Sequence, residues 1–373
     1  VKKQSIKDQK YYIEEINISG LTVCRTTTKL TFKDTLGLWR VRLGIRRNSY
    51  KVKPGLYCTG NPGRDSLVFV SANYKLSFDN LRSSLDGINA WILVLDTKGV
   101  NVWCAAGKGT FSTKEIISKI TDFKVEQLIS HKNLIVPQLA ATGVSAHDVL
   151  KLSGYRVIFG PVRAQDIGKF LNNGMKASKE MRIVHFGIKD RAVLMPIELV
   201  GTLRYILAIA AAFIIFKYTK VDFINLRDTV AFSGAFVMAS IIVPLFLPWI
   251  PGRAFSLKGF FAGIIWTIAM TAWNLFPHSL NPQSTNAAGT SYINLLKSFS
   301  GSWLSLSLLI FAYFLIIPAI SAFFALNFTG SSTYTSLSGV KKEMKVTLPY
   351  FIAALCMGAV LLIVRFFIHF FNL

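Results

Sequence analysis

Charge is scarce in this chain and mostly of one sign. Only 16% of its 373 residues are Asp, Glu, Lys or Arg, where soluble proteins average about 25%. Acids are the rarer kind, 19 against 42 bases, which leaves a net charge of +23. Cysteine is scarcer still: Cys24, Cys58, Cys104 and Cys356 are too few and too scattered for a disulfide framework. No Cys-x-x-Cys occurs, so the sequence carries no evident iron–sulfur cluster or structural zinc site. His131, His147 and His185 stand at no metal-like spacing from one another, and His147 reads as an N-cap or first-turn residue. Neither Gly-x-Gly-x-x-Gly nor a Walker A sequence is present, which argues against a nucleotide site. The basic excess comes without an Arg-rich arm, zinc-finger spacing or an aromatic stripe, so nucleic acid is not the expected partner. The opening residues show no apolar h-region, and no secretory signal peptide is expected.

What is abundant is apolar residues, 52% of the chain, and they are unevenly placed. Most charges precede residue 195, and beyond it five apolar spans follow at about 197–216, 229–250, 259–276, 303–328 and 348–371. Each is close to or above the roughly 18–20 residues that cross a bilayer. The expected organisation is a basic segment over 1–50, a soluble domain over 51–195 and a multi-pass transmembrane domain over 196–373. Lys176, Lys179, Arg182, Lys189 and Arg191 just before the first span place the soluble domain on the cytoplasmic side of the inner membrane. Arg253 and Lys258, then Lys341, Lys342 and Lys345, agree with that orientation, and the 277–302 loop with Lys297 falls outside. The first loop, with Lys217, Lys220 and Arg227, fits less well. Arg365 is expected to snorkel to an interface. The spans otherwise hold few polar groups, so the membrane half reads as an anchor or docking module.

In the soluble half, 39–47 mixes cations with apolar residues, as on a membrane surface or a solvated helix face. Lys53-Pro-Gly-Leu-Tyr-Cys-Thr-Gly-Asn-Pro-Gly63 is rich in turn formers and reads as a loop. Strands are expected at 66–72, 90–97, 134–139 and 155–160. Helices are expected at 79–86 with Asp79 as N-cap, 113–120, 146–152 and 164–171. The alternation predicts an α/β, Rossmann-like domain with a mostly parallel sheet. Ligands of such sheets sit outside the carboxyl ends of the strands. Four loops should converge there, at 71–75, 101–111, 137–143 and 160–163, all rich in small, amide and proline residues. That composition suits a broad, amide-decorated macrocycle.

The second of these loops opens with Asn101-Val-Trp-Cys-Ala-Ala-Gly-Lys108. A lone cysteine after a strand is ordinarily a small buried hydrophobe; at a strand mouth among small residues it is also a soft metal donor. Ala105, Ala106, Gly107 and Gly109 leave little side chain above the backbone, so a flat cofactor could approach it. The octapeptide resembles the cap-helix signature of the mercury-methylating corrinoid protein family, HgcA, at all eight positions. Related residues occur in the corrinoid-binding domain of the large subunit of the corrinoid iron–sulfur protein. The stretches Asn73-Tyr-Lys-Leu-Ser-Phe-Asp79, Ala90-Trp-Ile-Leu-Val-Leu-Asp-Thr-Lys-Gly99, Gly160-Pro-Val-Arg-Ala164 and Pro196-Ile-Glu-Leu-Val200 extend the likeness over about 50–200. Ser112, Ala140 and Thr142 depart from the family's Gly, Gly and Pro, and Cys58 stands where a non-thiol is expected. The iron–sulfur protein would add a cysteine-ligated cluster and a barrel and would lack membrane spans; this chain has the reverse.

The resemblance implies a corrinoid (cobalamin-type, cobalt) cofactor with Cys104 as the lower axial ligand and catalytic residue. Cofactor contacts are expected from Ser71, Asn73, Tyr74, Asn101, Val102, Trp103, Ala105, Ala106, Gly107, Lys108, Gly109, Thr110, Phe111, Pro137, Gln138, Leu139, Gly160, Pro161 and Val162. Trp103 would be a packing platform, and Lys108 either a contact to the corrinoid or a solvated lysine. Hg(II) is a soft electrophile and must receive a methyl carrying electron density, a polarity that a trans thiolate favours as it does in haem enzymes. The implied function is corrinoid-dependent transfer of methyl to a Hg(II) thiolate substrate, forming methylmercury. With no cluster in the sequence, a dicluster ferredoxin, HgcB in this family, is the implied reductant back to Co(I). The methyl would come from the methyltetrahydrofolate pathway in an anaerobic cytoplasm. Two alternatives stay open: a membrane-tethered corrinoid methyl carrier for another acceptor, and a corrinoid-binding sensor or transporter.

Overall fold

A computed structural model of the chain describes residues 11–18, 20–221, 223–275, 292–331 and 337–371. Most of the 277–302 loop and the first ten residues of the basic segment lie outside the described residues. The chain divides into two compact units, Val1–His185 and Phe186–Leu373.

The first unit is an α/β domain around a seven-stranded sheet. In chain order it runs β1 (Tyr12–Ile18), β2 (Leu21–Thr26), α1 (Phe32–Arg42), β3 (Gly55–Thr59), β4 (Val68–Ala72), α2 (Lys75–Ser84), β5 (Ala90–Leu95), α3 (Val102–Gly107), α4 (Thr113–Asp122), β6 (Asn133–Val136), α5 (Ala146–Ser153), β7 (Arg156–Phe159) and α6 (Ile167–Asn172). The strand order is β1-β2-β3-β5-β4-β6-β7. Strands β5, β4, β6 and β7 are parallel, as the alternating pattern predicts. Every residue of β4 and β5 is buried, because helices cover both faces and a continuous apolar run is then needed. Val68, Val70, Leu93 and Leu95 pack with Ile116 and Ile120 of α4 on one face. Phe69, Ile92 and Val94 pack with Phe78, Leu81 and Phe170 on the other.

Several expectations are corrected. The 53–63 stretch is not a loop: Gly55–Thr59 forms β3, antiparallel to β5 and fully buried. Its turn formers, Pro54 and Gly60 (φ +61°), mark the ends of a short strand rather than an irregular segment. Residues of the basic lead-in also enter the sheet as the β1–β2 hairpin, closed at Gly20 (φ +80°). Asp79 is not an N-cap, since α2 already begins after Tyr74. It is buried in mid-helix, where Oδ1 accepts from Arg82 Nε at 2.7 Å and Oδ2 from Lys75 Nζ at 2.5 Å. Lys75 and Arg82 also reach Asp34 of α1, at 2.7 and 2.9 Å. Arg82, wholly buried, further donates to the Thr27 and Lys29 carbonyls. His147 does lie in the first turn of α5, two residues after its cap, Ser145, whose hydroxyl accepts the Asp148 N–H.

The second unit is helical: α7 (Ile188–Ala192), α8 (Met195–Tyr218), α9 (Leu226–Val237), α10 (Val243–Phe246), α11 (Phe255–Leu275), α12 (Tyr292–Ala325) and α13 (Leu337–Phe370). Five stretches are long and apolar enough to cross a membrane: Ile188–Tyr218, Leu226–Phe246, Phe255–Leu275, Trp303–Thr329 and Gly339–Phe370. Between α9 and α10 the residues Met238–Ile242 wind a π turn just ahead of Pro244, which lacks the N–H of a regular helix. Gly259 and Gly263 let α11 approach α12 closely, for a Cβ on Gly263 would lie 2.6 Å from the Pro318 Cα. The spans hold more polar ties than their composition suggests. Asp228 accepts from the Tyr313 hydroxyl at 2.5 Å and lies 3.9 Å from Arg365, which therefore points to a buried carboxylate. Lys258 is buried and donates to the Leu247 and Ile250 carbonyls instead of lying free in a loop.

Burial alone would raise the Asp34 carboxyl, but hydrogen bonds from Lys75 and Thr31 outweigh it and hold the group at about 2. Its stabilisation is therefore full above the ordinary value of 3.8 and is lost as the pH falls through about 2. Arg82→Ala strands Asp34 and Asp79 with one remaining cation, and thermal unfolding of the solubilised chain should show a loss of about 3–5 kcal/mol.

Candidate functional site

The four parallel strands set where a ligand can enter. The chain passes from β4 to β5 on one side, then returns across β4 to β6 and β7 on the other. This reversal opens a crevice at the carboxyl ends of β4 and β6, the switch point at which doubly wound sheets bind ligands. Residues after β4 (Asn73, Tyr74) and after β6 (Pro137, Gln138) flank it. The β5 and β7 exits, leading to α3 and to Gly160–Val162, lie at the same edge.

Asn73 joins two of these exits. It is almost wholly buried; its Oδ1 accepts the Thr97 and Gly99 N–H groups at 3.2 and 2.9 Å, and its Nδ2 donates to Asp96 at 3.1 Å. The Thr97 hydroxyl lies 2.9 Å from the same Oδ1 and 2.7 Å from the Val100 carbonyl. Burial alone would raise Asp96, but side-chain and backbone hydrogen bonds from Lys98 outweigh it and hold it low. Asp96 N–H in turn donates to Glu115 of α4 at 3.1 Å. Asn73, expected as a cofactor contact, thus has its Oδ1 and one N–H of its amide engaged by the protein.

The 96–100 turn delivers Asn101, whose Oδ1 accepts the Cys104 N–H at 2.8 Å and caps α3. One face of this short helix, Val102, Ala105 and Ala106, is buried with Phe111 in the sheet's core. The other presents Trp103 (37% exposed), half-buried Cys104, Gly107 and Lys108. The backbone of α3 is approached from inside the domain by Gly143, where a Cβ would lie 2.4 Å from the Phe111 carbonyl oxygen and 2.9 Å from the Ala106 Cα. Gly107 and Gly109 (φ +76°) do have open space where a side chain would stand. Thr110 N–H and Phe111 N–H close the helix end on the Ala105 carbonyl at 2.9 and 3.1 Å.

The other exits are firm. Ser71 is buried at the end of β4. Pro137 leads into a 3-10 turn, Gln138–Ala140, holding Gln138 and half-buried Leu139, and the Gln138 Oε1 is buried without a hydrogen-bond partner. Gly160 and Pro161 are buried, and Val162 N–H donates to the Met181 carbonyl at 2.8 Å. Tyr74 is buried, and burial pushes its hydroxyl up. The Arg47 and Arg42 cations pull the other way, and Cys104 adds to the rise. Beside Val162 a cavity of about 320 Å³ is lined by Arg163, Asp166, Lys169, Glu180 and His185. It flanks the β7 exit rather than the Cys104 face.

Against known proteins, a family model described as CO dehydrogenase/acetyl-CoA synthase delta subunit matches residues 43–171. The acetyl-CoA decarbonylase/synthase complex subunit gamma of Archaeoglobus fulgidus is 33% identical over 118 residues, 31% of this chain and 25% of that protein. Its namesake in Methanocaldococcus jannaschii is 30% identical over 139 residues, 36% of this chain and 28% of that protein. The subunit from Methanopyrus kandleri is 30% identical over 127 residues, 34% and 27% respectively. The chain thus spans about a quarter of the length of the curated relatives it matches. The family match takes in every loop of the crevice and stops short of the helical unit.

Sequence reading passed over Asp96, Thr97 and Gly143 as support for the site. Asp96 and Thr97 looked like the end of a strand, and Gly143 like one more loop residue. Only the Gly after Ala-Ala-Thr hinted at a close approach. Asn73→Ala removes the acceptor of the buried Gly99 N–H and one of the two acceptors of the Thr97 N–H, and should cost about 1–3 kcal/mol. Hydrogen exchange should then accelerate at the Thr97 and Gly99 amides while the β5 amides stay protected.

Proposed function

We propose that the protein is a membrane-bound corrinoid-dependent methyltransferase that passes a methyl group to Hg(II), with Cys104 as the lower axial ligand of the cobalt. The observation that carries the reading is the outward face of α3, which offers a half-buried thiol at the carboxyl edge of the parallel strands. The eight-residue HgcA-like motif is intact around it.

The residues present fit such a group. Gln138 Oε1, a buried acceptor with no partner beside the switch point, would take an amide N–H from the rim of the macrocycle. The open space over Gly107 and Gly109 leaves room for a broad ring. The cavity beside Val162, at about 320 Å³, is far too small for one and takes no part. When bound, the corrinoid supplies a cobalt-carried methyl group, and a thiolate ligand raises the electron density that a soft Hg(II) thiolate substrate requires.

The chain's own contribution is positional. Asn101 fixes the pitch of α3 through the Cys104 N–H, so the thiol is held by a capped helix rather than a free loop. The burial of Val102, Ala105 and Ala106 in the sheet's core fixes the rotation of α3, directing Cys104 outward and leaving Trp103 as a flanking wall. Asn73 holds the turn that presents Asn101. Electrons would come from a dicluster ferredoxin partner, HgcB, and the methyl group from a methyltetrahydrofolate-linked donor, in an anaerobic cytoplasm that the first unit faces. The names of the matched relatives favour a second reading, a membrane-tethered corrinoid methyl carrier serving another acceptor.

Anaerobic loading of the full chain with cobalamin, followed by visible and Co(II) EPR spectroscopy, tests both. In Cys104→Ala the thiolate-ligation signature should vanish, and methylmercury formation with the ferredoxin partner should fall at least tenfold, roughly the scale of losing a metal contact. Identical spectra in the two proteins would remove Cys104 from the cobalt and leave the carrier reading. Absence of corrinoid binding would end both.

A further inference from the structure

Helix α1 carries a narrow apolar stripe on its exposed side. Its apolar stripe faces away from the domain it belongs to. Phe32, Leu36, Trp39 and Leu43 recur at i, i+4, i+7 and i+11, one line along a helix surface. Phe32 is 82% exposed, Leu36 48% and Trp39 52%. The opposite face, Asp34 and Val41, is the one buried against the unit, with Asp34 locked to Lys75 and Arg82. Leu30 and Ile45 extend the exposed apolar surface beyond both helix ends.

The charges around the stripe are of one sign. From 29 to 47 the chain carries Lys29, Lys33, Arg40, Arg42, Arg46 and Arg47, and its one acid, Asp34, is turned inward. Lys29, Lys33, Arg40 and Arg46 are exposed, and the Arg42 guanidinium lies 5.9 Å over the Trp39 ring. Aromatic and aliphatic residues on one face with Lys and Arg at its margins are the composition of a helix lying in a lipid interface. A long stem lets each cation reach the headgroups while the stripe sinks between them. The same chain carries five helices long and apolar enough to cross a membrane, so a lipid surface is always within reach of a short connection.

We propose that α1 docks the α/β unit on an anionic lipid surface, with Phe32, Leu36, Trp39 and Leu43 seated at the boundary between headgroups and acyl chains. The segment that follows α1 is tied to the β4 exit, where the Val52 N–H donates to the Asn73 carbonyl at 2.9 Å and the Lys75 N–H to the Tyr50 carbonyl at 3.1 Å. The contact therefore holds the carboxyl edge of the sheet, and not a remote corner of the domain, near the membrane surface. This docking does not depend on what the crevice binds.

The test uses the full chain in nanodiscs, with phosphatidylcholine carrying brominated acyl chains and with or without phosphatidylglycerol. The emission lost on Trp39→Phe isolates Trp39 from the other six tryptophans, and unchanged circular dichroism confirms that this surface exchange leaves the fold intact. With phosphatidylglycerol the Trp39 emission should shift to the blue and be largely quenched by the bromines. Lys33→Glu with Arg40→Glu should restore it to its water-exposed wavelength. A Trp39 emission untouched by brominated lipid in anionic discs would overturn the proposal. So would a shift seen only after a soluble acidic protein is added, which would make α1 a protein interface.

Discussion

The site depends on one buried side-chain amide. Asn73 sits at the exit of β4 and uses its oxygen and nitrogen to tie down the exit of the neighbouring β5, through Thr97, Gly99 and Asp96. The buried Gly99 N–H would carry the full cost of an unmade hydrogen bond if the amide were absent, while the Thr97 N–H would keep only the Leu95 carbonyl at 3.1 Å. The turn so fixed sets the position of Asn101, Asn101 sets the start of α3, and α3 sets the direction of Cys104. Each link is a hydrogen bond or a close packing contact, so the thiol's position is defined to within the tolerance of those contacts. Such support around a reactive group is what lets a site act without reorganising first.

A second constraint lies beneath α2. Asp34, Lys75, Asp79 and Arg82 form a closed ion cluster, with the Tyr11 ring 5.0 Å from Lys75 Nζ. Burying four charges is tolerable only because every one of them is paired, and Arg82 also takes up two backbone carbonyls of the β2–α1 connection. The cluster welds the N-terminal hairpin and α1 to the helix that follows the Asn73 loop. It also fixes the rotation of α1, since Asp34 has to point inward. The outward direction of Phe32, Leu36 and Trp39 is then a geometric consequence of the ion pairs, not a local accident.

Much of this fold was legible in the sequence where a single physical signal dominated. The fully buried β4 and β5 announced themselves as unbroken apolar runs, and the membrane spans as longer ones. The signal failed where two requirements overlapped. Pro54 and Gly60 said turn while Leu56, Tyr57 and Cys58 were filling a strand between them. Asp79 has the chemistry of a cap, but it is held in mid-helix by Lys75 and Arg82 of its own helix, and both cations also bind Asp34, 41 and 48 residues away from them, a tie that local reading cannot supply. The start of α13 at Leu337 was hidden by Lys341, Lys342, Glu343 and Lys345, charges tolerated because Glu343 accepts from Ser256 N–H and Oγ at 2.6 Å. The octapeptide around Cys104 was visible as a motif, but a helix of six residues is too short for its periodicity to reveal which face is buried. That is why the burial of Val102, Ala105 and Ala106 against the sheet's core was not legible in the motif.

The helical unit bears on what the first unit can do. Ionisable groups inside membrane spans ordinarily mark a path for ions or protons. Here Asp228, Lys258 and Glu343 are each engaged by a partner on another element of the same unit: Tyr313 and Arg365, the Leu247 and Ile250 carbonyls, and Ser256. Their interactions go into holding helix against helix, as does the close approach of Gly259 and Gly263 to α12. A unit built that way is held together by its own polar ties and close helix contacts. Tethering changes the arithmetic of any contact between the α/β unit and lipid, because the encounter becomes intramolecular and its effective concentration is set by a short connection. An apolar stripe as narrow as that of α1 would bind a membrane only weakly as part of a free protein. Joined to a membrane-spanning unit, the same stripe needs to supply orientation alone, and four side chains with a basic margin are enough for that.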